Sequence, residues 1–195
     1  MRLYHVPHTR STRVLWMLEE IGKPYEVTIL TREDEKTPEH LARHPLGRVP
    51  VLETSEGCVF ESAALCLHLA DLNPEAGLLP APGTHDRALA YQWSFYSMAE
   101  LEPAIVEVYL NKDSDAARTA AGTKQFHTVA AVVEQALAGK EYLVANRFSA
   151  ADIVCGGVLG FAQFLGLTGS LPNVEAYLER LNSRPARQRA LAVGP

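Results

Sequence analysis

The sequence predicts an α/β domain followed by a domain built from helices alone. Three observations lead to this prediction. In residues 1–75, strand-like and helix-like apolar patterns alternate. Residues 76–83 are rich in proline and glycine, which is typical of a linker. From residue 84 to residue 195 only helical patterns recur. A chain of 195 residues is long enough for two small domains.

The first domain is predicted to run strand, helix, strand, helix, hairpin, helix. Apolar residues recur at helical spacing after Ser11, and Gly22 and Pro24 end that helix. The hairpin is indicated by two short apolar runs around a polar turn that contains glycine. The predicted elements are strand 3–6, helix 11–21, strand 25–30, a charged loop 31–36, helix 38–43, hairpin strands 51–53 and 58–60, and helix 62–72.

The second domain has two well-defined helix starts. Thr84 is a suitable cap for a long helix, which we expect to bend at Pro103 because proline cannot continue the hydrogen-bond ladder. Ser149 and Asp152 have the spacing of a capping box, in which each side chain bonds the other's main chain. The predicted helices are 86–111, 116–138, 150–164, 173–182 and a short one at the C-terminus.

Composition excludes several classes of function. The net charge is −5 and no run of Lys or Arg occurs, so neither nucleic acid nor an anionic membrane surface is an expected partner. No apolar stretch reaches the length of a bilayer span, and the N-terminus lacks a signal-peptide pattern. Cys58, Cys66 and Cys155 are scattered, so we expect reduced thiols in a cytoplasmic protein, with neither a disulfide framework nor a metal site.

Val49-Pro50 stands at the entrance of the hairpin. A bond before proline adopts the cis form at modest cost. A cis bond here would turn the Val49 N–H and C=O outward, where they could pair with an extended peptide as another strand does. The alternative is a trans proline that simply begins an edge strand.

Glu61-Ser62 lies where the second hairpin strand meets the following helix. The free amides and the positive dipole end of a helix N-terminus form a favourable site for a carboxylate. The alternative is that Ser62 only caps its own helix. Both roles are compatible with the sequence.

These motifs, together with Ser149-x-x-Asp152 and the order of elements, resemble the cytosolic glutathione transferases. The resemblance covers essentially the whole chain and is strongest to a fungal and bacterial group that begins with a segment like 8–16. It implies a thioredoxin-like βαβαββα domain at 1–75, an all-helical domain at 84–195 and a homodimer. It also implies glutathione as co-substrate and a small hydrophobic electrophile as acceptor.

The resemblance assigns parts of glutathione to particular residues. It implies a cis Val49–Pro50 bond, with the Val49 main chain holding the cysteinyl backbone of glutathione. The γ-glutamyl carboxylate is expected at Ser62, with Glu61 placing the amine. Lys36 and Arg48 are expected near the glycine carboxylate or the neighbouring backbone; the alternative for each is a solvated surface cation.

Thiol activation is expected in the segment after the first strand. Conjugation needs a thiolate, which a nearby donor or positive charge stabilises. The family places a Tyr, Ser or Cys there, whereas this chain reads Pro7-His8-Thr9-Arg10-Ser11. We hypothesise that Ser11 and Arg10, with the helix N-terminus, stabilise the thiolate and that His8 donates or transfers a proton. The alternatives are a capping role for Ser11 and a solvated Arg10.

The acceptor side is predicted from the first helix of the second domain. Tyr91 and Tyr96 are candidates for an electrophile pocket between the domains; the alternative is core or dimer packing. The leading prediction is therefore a glutathione S-transferase, with peroxidase side activity as a further expectation. The alternative is a non-catalytic binding or interaction protein of the same fold. A thiol-disulfide oxidoreductase would need a cysteine at the first helix, which this sequence lacks.

Overall fold

The computed structural model describes residues 1–194 and divides into two compact units. Unit 1 comprises Met1–Leu79 together with the segment that begins at Ser183. Unit 2 comprises Pro80–Asn182. Among residues 1–194, no helix is long and apolar enough to cross a membrane.

Unit 1 contains a mixed sheet with the strand order β2-β1-β3-β4. The strands are β1 Arg2–His5, β2 Glu26–Ile29, β3 Val51–Thr54 and β4 Gly57–Phe60. β1 is parallel to β2 and antiparallel to β3, and β3 is antiparallel to β4. This arrangement confirms the predicted α/β layer with a hairpin at its edge.

Three helices connect and cover these strands: α1 Ser11–Ile21, α2 Pro38–Arg43 and α3 Ser62–Leu72. α1 packs against β1 and α3, and its apolar face is fully buried. Gly22 ends α1 with φ +72°, a conformation that glycine adopts without strain, and its N–H donates to the Leu18 carbonyl. These helix bounds agree with the predicted ones.

The predicted charged loop at 31–36 is partly helical, which corrects the sequence interpretation. Asp34–Lys36 forms a 3₁₀ turn. The Asp34 carboxylate accepts hydrogen bonds from the Thr31 N–H and the Thr31 hydroxyl, each at 2.8 Å. These bonds close the turn locally, so that a run of charged residues without apolar periodicity still becomes ordered.

The C-terminal helix α9, Pro185–Leu191, packs on α1 of unit 1. Arg184 donates to Glu20 at 2.6 and 2.8 Å, and this pair is largely shielded from solvent. The helical patterns of the sequence predict one helical domain over residues 84–195. The contacts of α9 associate it instead with the first unit, which a helical pattern alone does not reveal.

Unit 2 contains helices and no strand among its described residues. They are α4 His85–Tyr96, a π-helical segment Ser97–Leu101, α5 Glu102–Asn111, α6 Ala116–Ala136, α7 Ala150–Phe164 and α8 Pro172–Asn182. α7 is central, since it contacts α4, α5 and α8, and most of its residues are buried. The all-helical prediction for this part of the chain is confirmed.

The long helix before residue 111 is interrupted upstream of the proline that was expected to bend it. The irregular segment is Ser97–Leu101, and Pro103 occupies the first turn of α5. Proline has no N–H to give to the preceding turn, and the first turn of a helix needs none. The departure from α-helical geometry therefore lies in the π-helical segment Ser97–Leu101 and not at Pro103. Thr84 caps α4 as predicted, because its side chain accepts from the Arg87 N–H.

The predicted capping box at the start of α7 is present in full. The Ser149 N–H donates to the Asp152 carboxylate at 2.8 Å, and the Ser149 side chain also interacts with it at 3.0 Å. The same carboxylate accepts from the Leu143 N–H at 3.1 Å and from the Tyr177 hydroxyl at 3.0 Å. Asp152 thus joins the preceding loop and α8 to the N-terminus of α7.

Candidate functional site

The strand register brings three predicted site segments to one end of the sheet. Val51 pairs with Phe60 in the hairpin and with Tyr4 on β1. Both pairings are antiparallel, so the residues before Val51, after Phe60 and after β1 leave the sheet at the same end. Segments 8–11, 47–50 and 61–62 are therefore neighbours, although they are far apart in sequence.

The Val49–Pro50 peptide bond is cis, as predicted. Val49 is mostly buried, and no hydrogen bond within residues 1–194 uses its main-chain N–H or C=O. Gly47, two residues earlier, has φ +55°, and a Cβ there would lie 2.4 Å from the Glu35 carbonyl oxygen. Only glycine permits this approach, which seats the segment against the 3₁₀ turn.

Glu61 has a strained backbone conformation, with φ +77° and ψ 108°. Such a conformation costs roughly 1–3 kcal/mol in a residue other than glycine and often marks a functional site. It turns the chain into α3, whose first N–H groups have no partner within the helix. The Glu61 side chain is exposed, whereas Ser62 is almost completely buried.

Arg13 lies beneath Ser62 and was missed by the sequence interpretation. Arg13 is 5% exposed, and its Nη1 donates to the Ser62 hydroxyl oxygen at 3.3 Å. Since Arg13 supplies a donor, the hydroxyl hydrogen of Ser62 is left to donate to a ligand. The signal available in the sequence was a cation placed directly before the apolar run 14–18 of the predicted helix.

Two exposed cations belong to segments next to the same end of the sheet. Lys36 ends the 3₁₀ turn that contacts Gly47, and Arg48 immediately precedes Val49. Within residues 1–194 neither side chain takes part in an ion pair or a side-chain hydrogen bond. These cations can therefore turn toward an anionic ligand without breaking an existing bond.

The segment before α1 divides into a buried part and an exposed part. Ser11 is fully buried, and its Oγ lies 2.7 Å from His5 Nδ1 and 2.7 Å from Thr9 Oγ1. It also accepts from the Val6 N–H at 3.2 Å. Burial lowers the pKa of His5 below its ordinary value, which keeps this network uncharged. The geometry does not support Ser11 as a direct donor to a bound thiol; it supports a positioning role.

The exposed part consists of His8 and Arg10. His8 has φ +59°, which is unusual for a residue other than glycine. Arg10 occupies the N-cap position of α1 and makes no side-chain cap. Both side chains thus stand at the positive end of a helix dipole, at the end of the sheet where Val49 and Glu61 lie.

The predicted acceptor residues Tyr91 and Tyr96 lie on α4 of unit 2. Tyr91 is partly exposed, and its hydroxyl accepts from Arg87 Nε at 2.8 Å. The Tyr96 hydroxyl donates to the Val129 carbonyl on α6 at 2.9 Å, and burial raises its pKa. Tyr96 therefore has a packing role in this unit, and the pocket role of both residues stays a prediction.

The cysteines are unsuited to redox cycling at α1. Cys66 is fully buried, which raises its pKa to about 12. Cys155 is also fully buried on α7, and Cys58 lies on β4, where burial raises its pKa. A thiol with a raised pKa is a poor nucleophile. No group of His, Cys, Asp and Glu side chains in residues 1–194 is arranged to hold a metal ion.

Comparison with known proteins agrees with this geometry. Residues 1–71 match the glutathione S-transferase N-terminal domain family, and residues 84–185 match the C-terminal domain family. Glutathione S-transferase 4 of Zea mays is 30% identical over 94% of this chain and 88% of its own length. A sphingomonad glutathione S-transferase, solved as a complex with glutathione, superposes with a TM-score of 0.88. It is 30% identical over 98% of this chain and 97% of the solved chain.

Another relative carries a different name. Elongation factor 1-gamma of Prunus avium is 31% identical over 80% of this chain, but the match covers only 39% of that protein. The two family models, in contrast, account together for most of the present chain. This chain belongs to the glutathione S-transferase family.

Proposed function

We propose that the protein binds reduced glutathione and transfers its sulfur to small hydrophobic electrophiles. The observation that carries this proposal is the meeting of segments 8–11, 47–50 and 61–62 at one end of the sheet, which the register requires. Support also comes from the sphingomonad relative, whose solved structure holds glutathione. The site needs no metal in this scheme, and peroxidase side activity is a further expectation.

Each segment suits one part of glutathione. The N–H and C=O of Val49, which pair with no group in residues 1–194, suit the cysteinyl backbone, which would bind as an added strand. The first N–H groups of α3 and the Ser62 hydroxyl suit the γ-glutamyl carboxylate. The exposed Glu61 carboxylate suits the γ-glutamyl amine, while Lys36 and Arg48 suit the glycine carboxylate.

The sulfur would then lie toward the exposed part of the segment before α1. The thiol must lose its proton before it attacks, and its ordinary pKa near 8.5 leaves little thiolate at neutral pH. Arg10 and the N-terminus of α1 would stabilise the thiolate, and His8 would accept or donate the proton. The thiolate then forms a bond to the electrophilic carbon, and the leaving group takes the bonding electrons. Ser11 would hold this segment in place through its buried hydrogen bonds to His5, Val6 and Thr9.

The proposal also covers the residues that contact the electrophile, the oligomeric state and the cellular location of the protein. Tyr91 and Tyr96 are proposed to contact the electrophile, with Tyr91 favoured because its ring is partly exposed. We further propose a homodimer located in the cytoplasm, as the family resemblance implies. The fungal and bacterial subgroup stays a prediction, because a plant protein matches as well as a bacterial one.

A second candidate is a glutathione-binding or interaction protein without turnover. Two observations favour it. The serine nearest to the expected catalytic position is fully buried. One relative is named as an elongation factor and not as a transferase. The binding segments would be the same in both functions, so the difference lies only in thiol activation.

The two functions are separated by measuring binding and turnover on the same preparation. Glutathione affinity is measured by titration calorimetry, and turnover by conjugation of 1-chloro-2,4-dinitrobenzene. A transferase is expected to bind glutathione and to accelerate conjugation. Binding without acceleration, repeated over several electrophile classes, would assign the second function. Absence of binding would reject the transferase and the glutathione-binding form of the second candidate, and would leave only an interaction role.

Arg10 provides the direct test of thiol activation. In Arg10→Ala, the thiol pKa of bound glutathione is expected to rise by about one unit, because a partly solvated positive charge near the sulfur contributes roughly 1–4 kcal/mol. The pKa is measured from the ultraviolet absorbance of the thiolate. Arg2→Ala is the control, since Arg2 is an exposed arginine of β1 that pairs with Glu26. An unchanged thiol pKa in Arg10→Ala would remove this residue from the mechanism.

A further inference from the structure

We infer that His40 is a positioning residue for glutathione, because it orients the peptide group that Val49 presents. This inference rests on the proposed function, since it concerns the same binding segment. His40 lies on α2 and is 1% exposed. Its Nε2 lies 3.0 Å from the carbonyl oxygen of Arg48.

The contact determines the protonation of the imidazole. A carbonyl oxygen can only accept, so Nε2 of His40 must carry the hydrogen and donate it. The other ring nitrogen, Nδ1, is buried and has no hydrogen-bond partner within residues 1–194. The ring edge packs against Tyr4 at a centroid distance of 6.0 Å. All of the polar bonding of this buried imidazole is therefore directed at Arg48.

Peptide geometry links that bond to the ligand site. The Arg48 carbonyl and the Val49 N–H belong to one planar peptide group, in which they point in opposite directions. A bond that holds the carbonyl toward His40 consequently holds the Val49 N–H away from α2. This N–H is one of the two Val49 main-chain groups that have no hydrogen-bond partner among the described residues. His40 thus fixes the direction of a group proposed to bind the cysteinyl backbone.

The orientation of this peptide group depends on His40, because the neighbouring hydrogen bonds from α2 and its C-cap end at Gly47. The Gly47 N–H donates to the His44 carbonyl at 2.8 Å, and the Leu46 N–H is bonded to His44 Nδ1 at 3.1 Å. These bonds hold the segment only as far as Gly47. Between Gly47 and the start of β3, the bond from His40 to Arg48 is the one main-chain restraint from α2 in the described residues.

Two substitutions of His40 by an amide residue distinguish the effect of its hydrogen-bond donor from the effect of its side-chain volume. In His40→Gln, the amide nitrogen reaches the position of Nε2, so glutathione affinity is expected within about threefold of the original. In His40→Asn, the shorter amide cannot reach Arg48, and glutathione affinity is expected to fall about tenfold. The rate at saturating glutathione is expected within about twofold in both, because His40 does not approach the sulfur. Affinity is measured by calorimetry, and rate by aryl halide conjugation.

Asn73→Ala is the matched control for the loss of a buried donor. Asn73 lies past the far end of α3 from Ser62, and its side chain donates to the Leu69 carbonyl at 2.8 Å. This variant is expected to lose stability without losing glutathione affinity. Thermal unfolding of all variants separates the two effects.

The outcomes distinguish this inference from the proposed function. Absence of glutathione binding by the unsubstituted protein overturns both. Binding by the unsubstituted protein, together with equal affinity in His40→Asn, overturns the inference alone. A fall in affinity that is equal in His40→Gln and His40→Asn also overturns it, because the donor would then not matter. If His40→Asn does not fold, His40→Leu, which also lacks the donor to Arg48, takes its place. A fall of about tenfold relative to His40→Gln then supports the inference, and equal affinity in the two variants overturns it.

Discussion

Replacing Asp152 by alanine is expected to lower the free energy of unfolding by about 4 kcal/mol, enough to unfold a marginal domain. Asp152 is fully buried and accepts from two main-chain N–H groups and from the Tyr177 hydroxyl. Alanine would leave these donors buried without an acceptor, and each orphaned donor costs about 1–3 kcal/mol. Urea unfolding followed by circular dichroism measures the change.

A second helix cap supplies the matched control. Asp115 caps α6 by accepting from the Arg118 N–H at 3.0 Å, but it is partly exposed, and within residues 1–194 its side chain bonds to no other helix. Asp115→Ala is expected to cost about 1 kcal/mol, the usual value for a lost N-cap. Equal losses in the two variants would show that Asp152 acts only as a local cap. Asp152→Asn, which keeps one acceptor oxygen, is expected to lie between Asp152→Ala and the original protein.

Features that depend on neighbouring residues were predictable from the sequence. The capping box needs only the spacing from Ser149 to Asp152, and the start of α3 needs only the boundary between an apolar strand and a helical pattern. The cis bond at Val49–Pro50 was favoured by the family resemblance over the trans form, and the structure contains it. In each case the interacting groups lie within a few residues of one another.

Features that depend on tertiary contacts were not predictable. Arg13 resembles any helical cation until α3 is packed over α1, when it becomes a buried donor to Ser62. His40 resembles a polar residue of a short helix until the Arg48 carbonyl is folded onto it. From the sequence, Ser11 is a candidate donor to the thiol. Its burial beside His5 and Thr9 depends on how β1 and α1 pack, which the sequence pattern does not report. A sequence pattern reports the spacing of residues along the chain. The roles of these residues depend instead on distances in space between residues of different segments.

Replacing Ser62 by alanine is expected to weaken glutathione binding by about 10- to 100-fold. The proposed γ-glutamyl carboxylate would lose a hydroxyl donor, and a hydrogen bond to a charged group contributes about 1.5–3 kcal/mol. Arg13 would also lose an acceptor, since its Nη1 donates to the Ser62 oxygen. Titration calorimetry with reduced glutathione measures the affinity.

The control and a truncated ligand identify the group that Ser62 contacts. Ser55 is exposed in the turn between β3 and β4, so Ser55→Ala is expected to leave affinity unchanged. Cysteinylglycine lacks the γ-glutamyl carboxylate, so its weaker binding should be the same in Ser62→Ala as in the original protein. If Ser62→Ala weakened both ligands by the same factor, the hydroxyl would act on the fold of the site. A loss confined to glutathione instead places the carboxylate at the N-terminus of α3, where Arg13 leaves the Ser62 hydrogen free to donate.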